Sequence, residues 1–244
     1  MNKTVIIIPS RLDALRLPNK PLALINKKEM ILHVYDAAKK TNTGEVYVAT
    51  PDKKIIDVIT SNGGKAVFTS LAHQTGTDRI YEVFKTLLKS EPNIVVNLQG
   101  DMPNIDPQAI IDLISYMNKG KCDIGTLASS FNSEIELEDK NNVKVAVKEK
   151  LTDNNFSEAI DFFRSDLSPE NFYHHIGIYA FTNKALVRYV NLERSKLELE
   201  RKLEQLRALE NYMTIHVGYT NSSPLSVDTK DDLTKVRKIM ENNE

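Results

Sequence analysis

The chain has 244 residues, a formal net charge of −1, and 41% hydrophobic and 27% charged residues. That length suffices for one large globular domain with a sizeable core, and the charge balance excludes a general attraction to nucleic acid or anionic membranes. The single Cys122 excludes a disulfide framework and a cysteine-built metal site; with neither a leader-type segment nor a membrane-length apolar run, a cytoplasmic protein is expected.

In chain order, strands and helices alternate. Val5-Ile6-Ile7-Ile8 is a short β-branched run that ends at Pro9 and reads as a buried strand. It empties into a polar, cationic loop carrying Ser10, Arg11, Arg16 and Lys20 and punctuated by Pro18 and Pro21. Helical spacing over residues 30–40, a strand over 46–50, and a helix opened by Asp52 as its N-cap follow. Gly63-Gly64 ends that helix, and residues 66–68 form a third strand. The polar loop His73-Gln74-Thr75-Gly76-Thr77-Asp78-Arg79 enters a helix at about Asp78, and the strand at 94–98 ends in Gln99-Gly100-Asp101. This rhythm predicts a three-layer, mostly parallel, Rossmann-like α/β sheet.

From about Cys122 the rhythm changes. Strands are expected within 124–131, 143–147 and 176–181 without a clean helix between each pair, which suggests a smaller antiparallel lobe. Leucine spacing predicts one long helix over 197–213, then a strand at 215–219 and a closing amphipathic helix at 230–240. With no repeat or linker, the expectation is a single domain spanning 1–244 with an embedded lobe at about 122–215.

Ligands of open α/β sheets sit beyond the carboxyl ends of the strands, so the cationic loop is placed to receive an anion. Asp101 ends a strand, and Asp228 precedes the last helix. Two such carboxylates can hold Mg²⁺, which combines a few carboxylates with substrate phosphate oxygens. Read singly, Asp101 is equally a turn-forming residue and Asp228 a helix N-cap. Neither GxxxxGK(S/T) nor GxGxxG occurs, so the chain is neither a Walker-type ATPase nor a dinucleotide dehydrogenase.

The segments PSR-x4-RLP-x-KPL, HQTGTDR, NLQGD, HIGIY, LEQLR and VDT, in this order and spacing, carry a resemblance. Together they resemble the 3-deoxy-manno-octulosonate cytidylyltransferase (CMP-Kdo synthetase) family of the sugar nucleotidyltransferase superfamily. The resemblance implies a homodimeric enzyme of lipopolysaccharide synthesis that uses CTP, Kdo and Mg²⁺. It implies that Arg11 and Lys20 bind phosphates with help from Arg16 and Ser10. It further implies that Gln74, Thr75, Gly76, Thr77 and Arg79 cradle the cytidine, and that Asp101 and Asp228 carry the metal. Gln99, Arg164, His175, Tyr179, Glu204 and Gln205 are implied to line the sugar site, with Arg164 opposite the sugar carboxylate. On residue type alone, His175 is equally a strand histidine, Tyr179 a core aromatic, and Glu204 and Gln205 a solvated helix face.

The chain departs from the family pattern at three places. Met102 follows Asp101 where the family has an acid, and Asn19 stands where it usually has Gly. After Arg164 the stretch Ser165-Asp166-Leu167-Ser168-Pro169 is shorter than the family's. A CMP-sialic acid synthetase, another cytidylyltransferase, or a nucleotide-binding regulator without turnover are the alternatives. A role in binding nucleic acid is not expected, because the cations form one pocket-sized cluster.

Overall fold

The computed structural model describes residues 3–13, 16–153, 155–164 and 169–241. The elements run β1 (Thr4–Pro9), β2 (Leu24–Ile25), β3 (Lys28–Glu29), α1 (Met30–Lys40), β4 (Glu45–Thr50), α2 (Lys53–Ser61), β5 (Ala66–Phe68), α3 (Gly76–Thr86), β6 (Ile94–Asn97) and α4 (Pro107–Met117). They continue with β7 (Ile124–Ser129), α5 (Glu134–Glu138), β8 (Lys144–Val147), β9 (Phe156–Phe163), β10 (Phe172–Thr182), α6 (Asn183–Val190), α7 (Lys196–Arg201), α8 (Leu206–Glu210), β11 (Ile215–Tyr219) and α9 (Lys230–Glu241). The chain divides into two compact units, one made of residues 1–111 with 224–244 and the other of 112–223.

In the first unit β5, β4, β1 and β6 pair in that order, all parallel. β1 and β6 are buried at every position, as their continuous Val and Ile runs require of a sheet covered on both faces. Because the strands are parallel, Ser10, the 69–75 loop and the Gln99-Gly100-Asp101 turn all leave the sheet at one end. Two contacts bring the last segment to that end as well. The Val227 N–H donates to the Asp101 carbonyl over 2.9 Å. Val227, Leu233 and Val236 then pack in one apolar cluster with Leu17, Ile25 and Met30.

In the second unit β10 pairs antiparallel with β7, β7 pairs parallel with β11, and β11 pairs antiparallel with β9. β8 pairs antiparallel with both β9 and β10, so the strand order closes on itself. The expected parallel order therefore holds in the four-stranded sheet of the first unit, which also carries the small antiparallel pair β2–β3, whereas the second unit is mixed. β9, α4 and α6 are elements that the periodicity left unassigned. The long helix expected at 197–213 is two short helices, α7 and α8. Lys202 breaks it with left-handed backbone at φ 55°.

The break is held by a buried ion pair. Arg207 donates from Nε to Glu198 Oε2 at 2.8 Å and from Nη2 to Oε1 at 2.7 Å. The two side chains are 4% and 1% exposed. The Arg194 Nε and the Ser195 N–H also donate to Glu198, so its carboxylate is fully satisfied. A salt bridge so enclosed sets where the chain folds back more than it stabilises the fold over an apolar pair.

Candidate active site

The cationic loop leaves β1 at Ser10, whose N–H bonds the Ala49 carbonyl at 2.9 Å. Asp52, expected to cap α2, makes no side-chain cap bond there. Its Oδ2 accepts the Leu12 N–H at 2.8 Å and so ties the loop to the end of β4. Further on, the Asn19 N–H returns to the Leu12 carbonyl at 3.2 Å. Asn19 takes the left-handed conformation, φ 56°, that starts the short 3₁₀ turn Lys20–Leu22. Asparagine tolerates this geometry, so the turn forms without glycine.

That turn aims Lys20 at the two acids. Its Nζ donates to Asp101 Oδ2 at 2.9 Å and to Asp228 Oδ1 at 3.1 Å. Arg16 Nη2 pairs with the other Asp228 oxygen at 2.9 Å. Burial alone would lower the Lys20 ammonium, but Asp101 and Asp228 outweigh it and hold its pKa above the ordinary lysine value. Asp228 is not the N-cap of α9. Thr229 takes that role, accepting the Asp232 N–H at 3.2 Å, while Asp232 Oδ2 accepts the Asp228 and Thr229 N–H groups. The exchange of roles leaves the Asp228 carboxylate to the cations.

On the other side of β1, Thr75 caps α3 by accepting the Asp78 N–H at 3.1 Å. Gly76 lies so close to Pro9 that a Cβ there would sit 3.2 Å from the proline Cγ. Arg79 is 4% exposed and donates to Thr69 Oγ1 and to the Ser70 carbonyl, pinning the 69–75 loop from behind. Burial, then the neighbouring Arg11 charge, lower its pKa. Glu82 pins the same loop by accepting the Ser70 N–H and pairing with His73.

These segments enclose a cavity of about 710 Å³. Ser10, Arg11, Arg16, Lys20, Gln74, Thr75, Gly76, Arg79, Gln99, Asp101 and Asp228 all line it. Thr77 does not. It is buried beneath the loop, where its Oγ1 accepts from Asn97 Nδ2, which in turn supports Gln99. His73 and Asp13 line the cavity although neither stood out as a site residue, and Asp52 acts just behind it. The Ser10 hydroxyl is buried at the wall with no hydrogen-bond partner among the described residues, a donor kept in reserve. Met102, where the family pattern has an acid, is a buried apolar side chain, 3% exposed.

The donor set suits Mg²⁺. Asp101 and Asp228 each turn one oxygen to a single cationic centre, and the cavity leaves its other side to phosphate oxygens. Among the described residues no cluster of three or more His, Cys, Asp or Glu side chains forms an all-protein metal cage.

The other sugar-side candidates belong to the second unit. His175 Nε2 lies 3.0 Å from Thr126 Oγ1, whose hydroxyl donates to the Ile178 carbonyl at 2.7 Å. This closes the β-bulge of β10 between Ile176 and Tyr179. Burial pushes the imidazole down to about 3, so His175 is neutral at ordinary pH and cannot serve as a cation. Tyr179 is half-buried, and desolvation followed by the Glu204 charge raises its phenol well above the ordinary tyrosine value. Glu204 and Gln205 lie in the turn between α7 and α8 rather than on a solvated helix face. Arg164 follows β9 and donates from Nη1 to the Lys140 and Asn141 carbonyls. Residues 165–168, where the sequence departs from the family pattern, lie outside the described residues.

A strand-end cavity with two carboxylates, an ammonium between them and three arginines is suited to nucleotidyl transfer. The family model "Cytidylyltransferase" matches residues 5–215, and the chain belongs to the cytidylyltransferase family. Within it the chain is a member of the 3-deoxy-manno-octulosonate cytidylyltransferase group. It is 43% identical to the protein of that name from Rickettsia bellii, over 97% of this chain and 95% of the relative. It is 41% identical to the one from Bartonella henselae, over 97% and 98%. A solved structure described as CMP:2-keto-3-deoxy-manno-octonic acid synthetase complexed with CTP superposes with a TM-score of 0.89 at 36% identity, covering 99% of this chain and 100% of that one. A cytidylyltransferase from Leptospira borgpetersenii shares the fold, with a TM-score of 0.66 at 18% identity.

Proposed function

We propose that this protein transfers CMP from CTP to the anomeric hydroxyl of Kdo, giving CMP-Kdo and pyrophosphate for lipopolysaccharide synthesis. The observation that carries this reading is the ammonium of Lys20 held between Asp101 and Asp228 in a cavity also lined by Arg11 and Arg16. In the reaction the sugar hydroxyl oxygen bonds to the α-phosphorus of CTP and gives up its proton to solvent. The bond from that phosphorus to the bridging oxygen breaks, and pyrophosphate leaves.

Arg11 and Lys20 bind the triphosphate, with Arg16 beside them, so that fixed cations face the charge that grows on phosphorus and the leaving group. Ser10 supplies a neutral donor at the same wall. Mg²⁺, carried by Asp101 and Asp228, supplies further charge neutralisation when bound. The Gln74-Thr75-Gly76 segment takes the cytidine: Gly76 allows close approach, and polar groups at a base edge discriminate among bases. Arg79, Thr77, Glu82 and Asp52 hold the binding loops in shape. On the sugar side Gln99, Tyr179, Glu204 and Gln205 offer hydrogen bonds, and Arg164 meets the carboxylate as a planar fork. His175 maintains the bulge that sets Tyr179. A homodimer in the cytoplasm completes the reading, and the exposed apolar side chains of Ile160 and Leu199 are consistent with self-association.

Pyrophosphate release with Mg²⁺ and each of CTP, ATP, GTP and UTP, with and without Kdo, tests the proposal. Release requires CTP and Kdo together and is lost in Asp101→Ala. Release with sialic acid in place of Kdo moves the substrate to a different acidic sugar. Binding of CTP without release under any condition defeats the reading in favour of a regulator.

A further inference from the structure

Lys144 is the one lysine among the buried polar and charged residues described, at 4% exposure. It opens β8 and is flanked in register by Phe163 of β9 and His174 of β10. A buried ammonium is costly unless its hydrogens are bonded. Lys144 meets that need with main-chain oxygens: Nζ donates to the Arg164 carbonyl at 2.8 Å and to the Asp139 carbonyl at 3.0 Å. Arg164 answers from its own side chain, whose Nη1 donates to the Lys140 and Asn141 carbonyls. Lys144 thus holds the main chain of Arg164 and the 139–141 segment, and Arg164 holds that same segment. The four bonds make a closed knot between two cations and one short stretch of chain.

The surrounding charges bear on what the knot is for. The Asp139 carboxylate accepts from the Asn141 N–H and Nδ2 rather than from either cation. Glu136 pairs with His174. Burial lowers the Lys144 pKa; the Asp139 charge opposes that shift, and the Arg164 charge adds to it. Carbonyl oxygens satisfy the geometry of both cations without cancelling their charge. Two main-chain acceptors on Nη1 restrict the plane of the whole guanidinium, because the group is rigid. Two cations kept close and bonded to neutral acceptors suit an anionic ligand, and a lysine used on main chain alone suits holding its neighbour in place.

We propose that Lys144 is a positioning residue for Arg164, fixing the guanidinium that meets the carboxylate of the acidic sugar. The proposal rests on the assignment of Arg164 to that carboxylate. The experiment is steady-state pyrophosphate release by the full chain, giving KM for Kdo and for CTP separately in Lys144→Met, Lys144→Arg and Arg164→Ala, with a melting curve for each. Lys144→Met raises KM for Kdo about tenfold and leaves KM for CTP within twofold, and Lys144→Arg recovers part of the loss. Where Lys144→Met does not fold, Lys144→Gln, which keeps one donor, is read in its place and shows the same split. A rise for Arg164→Ala with no rise for the Lys144 variants overturns the positioning role. Equal rises in both KM values, tracking the melting temperature, overturn it too by reducing Lys144 to a packing residue. No rise in Arg164→Ala removes instead the assignment of Arg164, so the silent variant tells the two failures apart.

Discussion

Asp52 and Leu12, one at the end of β4 and the other in the cationic loop, are joined by a 2.8 Å hydrogen bond from the Leu12 N–H to the aspartate Oδ2. The bond sets where the chain turns after Ser10 and Arg11, and thus where the cations of the loop stand. Removing the acceptor strips a part-buried donor of a charged partner, a loss of about 1–3 kcal/mol. Asp52→Ala is expected to lower stability by that order and raise KM for CTP several-fold, whereas Asp52→Asn keeps most of both. Denaturant melts and CTP kinetics on the pair measure it.

The Lys20 ammonium is shared by Asp101 and Asp228. Lys20→Met removes the one cation that the two carboxylates share, leaving Asp228 only Arg16, and on the proposed function it withdraws positive charge from the reacting phosphate. Loss of one such electrostatic stabiliser costs about 10²–10³ in rate. Pyrophosphate release in Lys20→Met is expected to fall by that factor, and a variant within tenfold of the parent would show that the charge is not used in the reaction.

Glu198 and Arg207 are a satisfied, enclosed pair, and breaking one side strands the other charge. Glu198→Ala is expected to cost about 3–5 kcal/mol. Burial pushes the Glu198 carboxyl up, but the bonds from Arg207 and Arg194 exceed that effect and hold it below the ordinary glutamate value. Its stabilisation is present above the unfolded pKa and lost as pH falls through the folded one. A double-mutant cycle with Arg207→Ala, followed by urea unfolding, measures the coupling; additive losses would deny the pair its role.

His175 titrates in the opposite chemical sense but also weakens the fold in acid. The folded protein holds it at about 3, against 6.5 for a free histidine, so the unfolded chain takes up the proton first as pH falls. Stability is unaffected above about pH 6.5 and is lost between there and about pH 3, at about 1.4 kcal/mol per pH unit for this one group. His175→Gln is expected to flatten the stability profile over that window; an unchanged slope would mean that the imidazole takes up its proton alike in the folded and unfolded chain.

The parallel frame of the first unit was legible because a covered strand needs an unbroken β-branched run, and β1 and β6 have one. The helix at 197–213 was not. Leucine spacing is the same for one helix or two, and the break at Lys202 is dictated by a contact between Glu198 and Arg207 that periodicity does not report. α4 carried a readable start, with the Asp106 side chain accepting the Gln108 N–H beside Pro107, and lay unassigned between the strands expected at 94–98 and within 124–131. In the site, charge at strand ends located Arg11, Lys20 and Asp101. The exchange of capping roles between Asp228 and Thr229, and the turning of Asp52 from its helix to Leu12, depend on partners distant in sequence. Composition does not encode them.

The first unit is built from two segments, one on either side of the second unit in sequence. Chains emerge from the ribosome N-terminus first, and domains begin to fold as they emerge. Lys20 and Asp101 are thus available well before Asp228, with the whole second unit made in between. Until the segment carrying Val227 and Asp228 emerges, the Lys20 ammonium has one carboxylate partner, and the cluster of Leu17, Ile25 and Met30 lacks half its packing. The second carboxylate therefore reaches Lys20 only after the second unit has been synthesised, and a chain stalled earlier carries the cations without that acid.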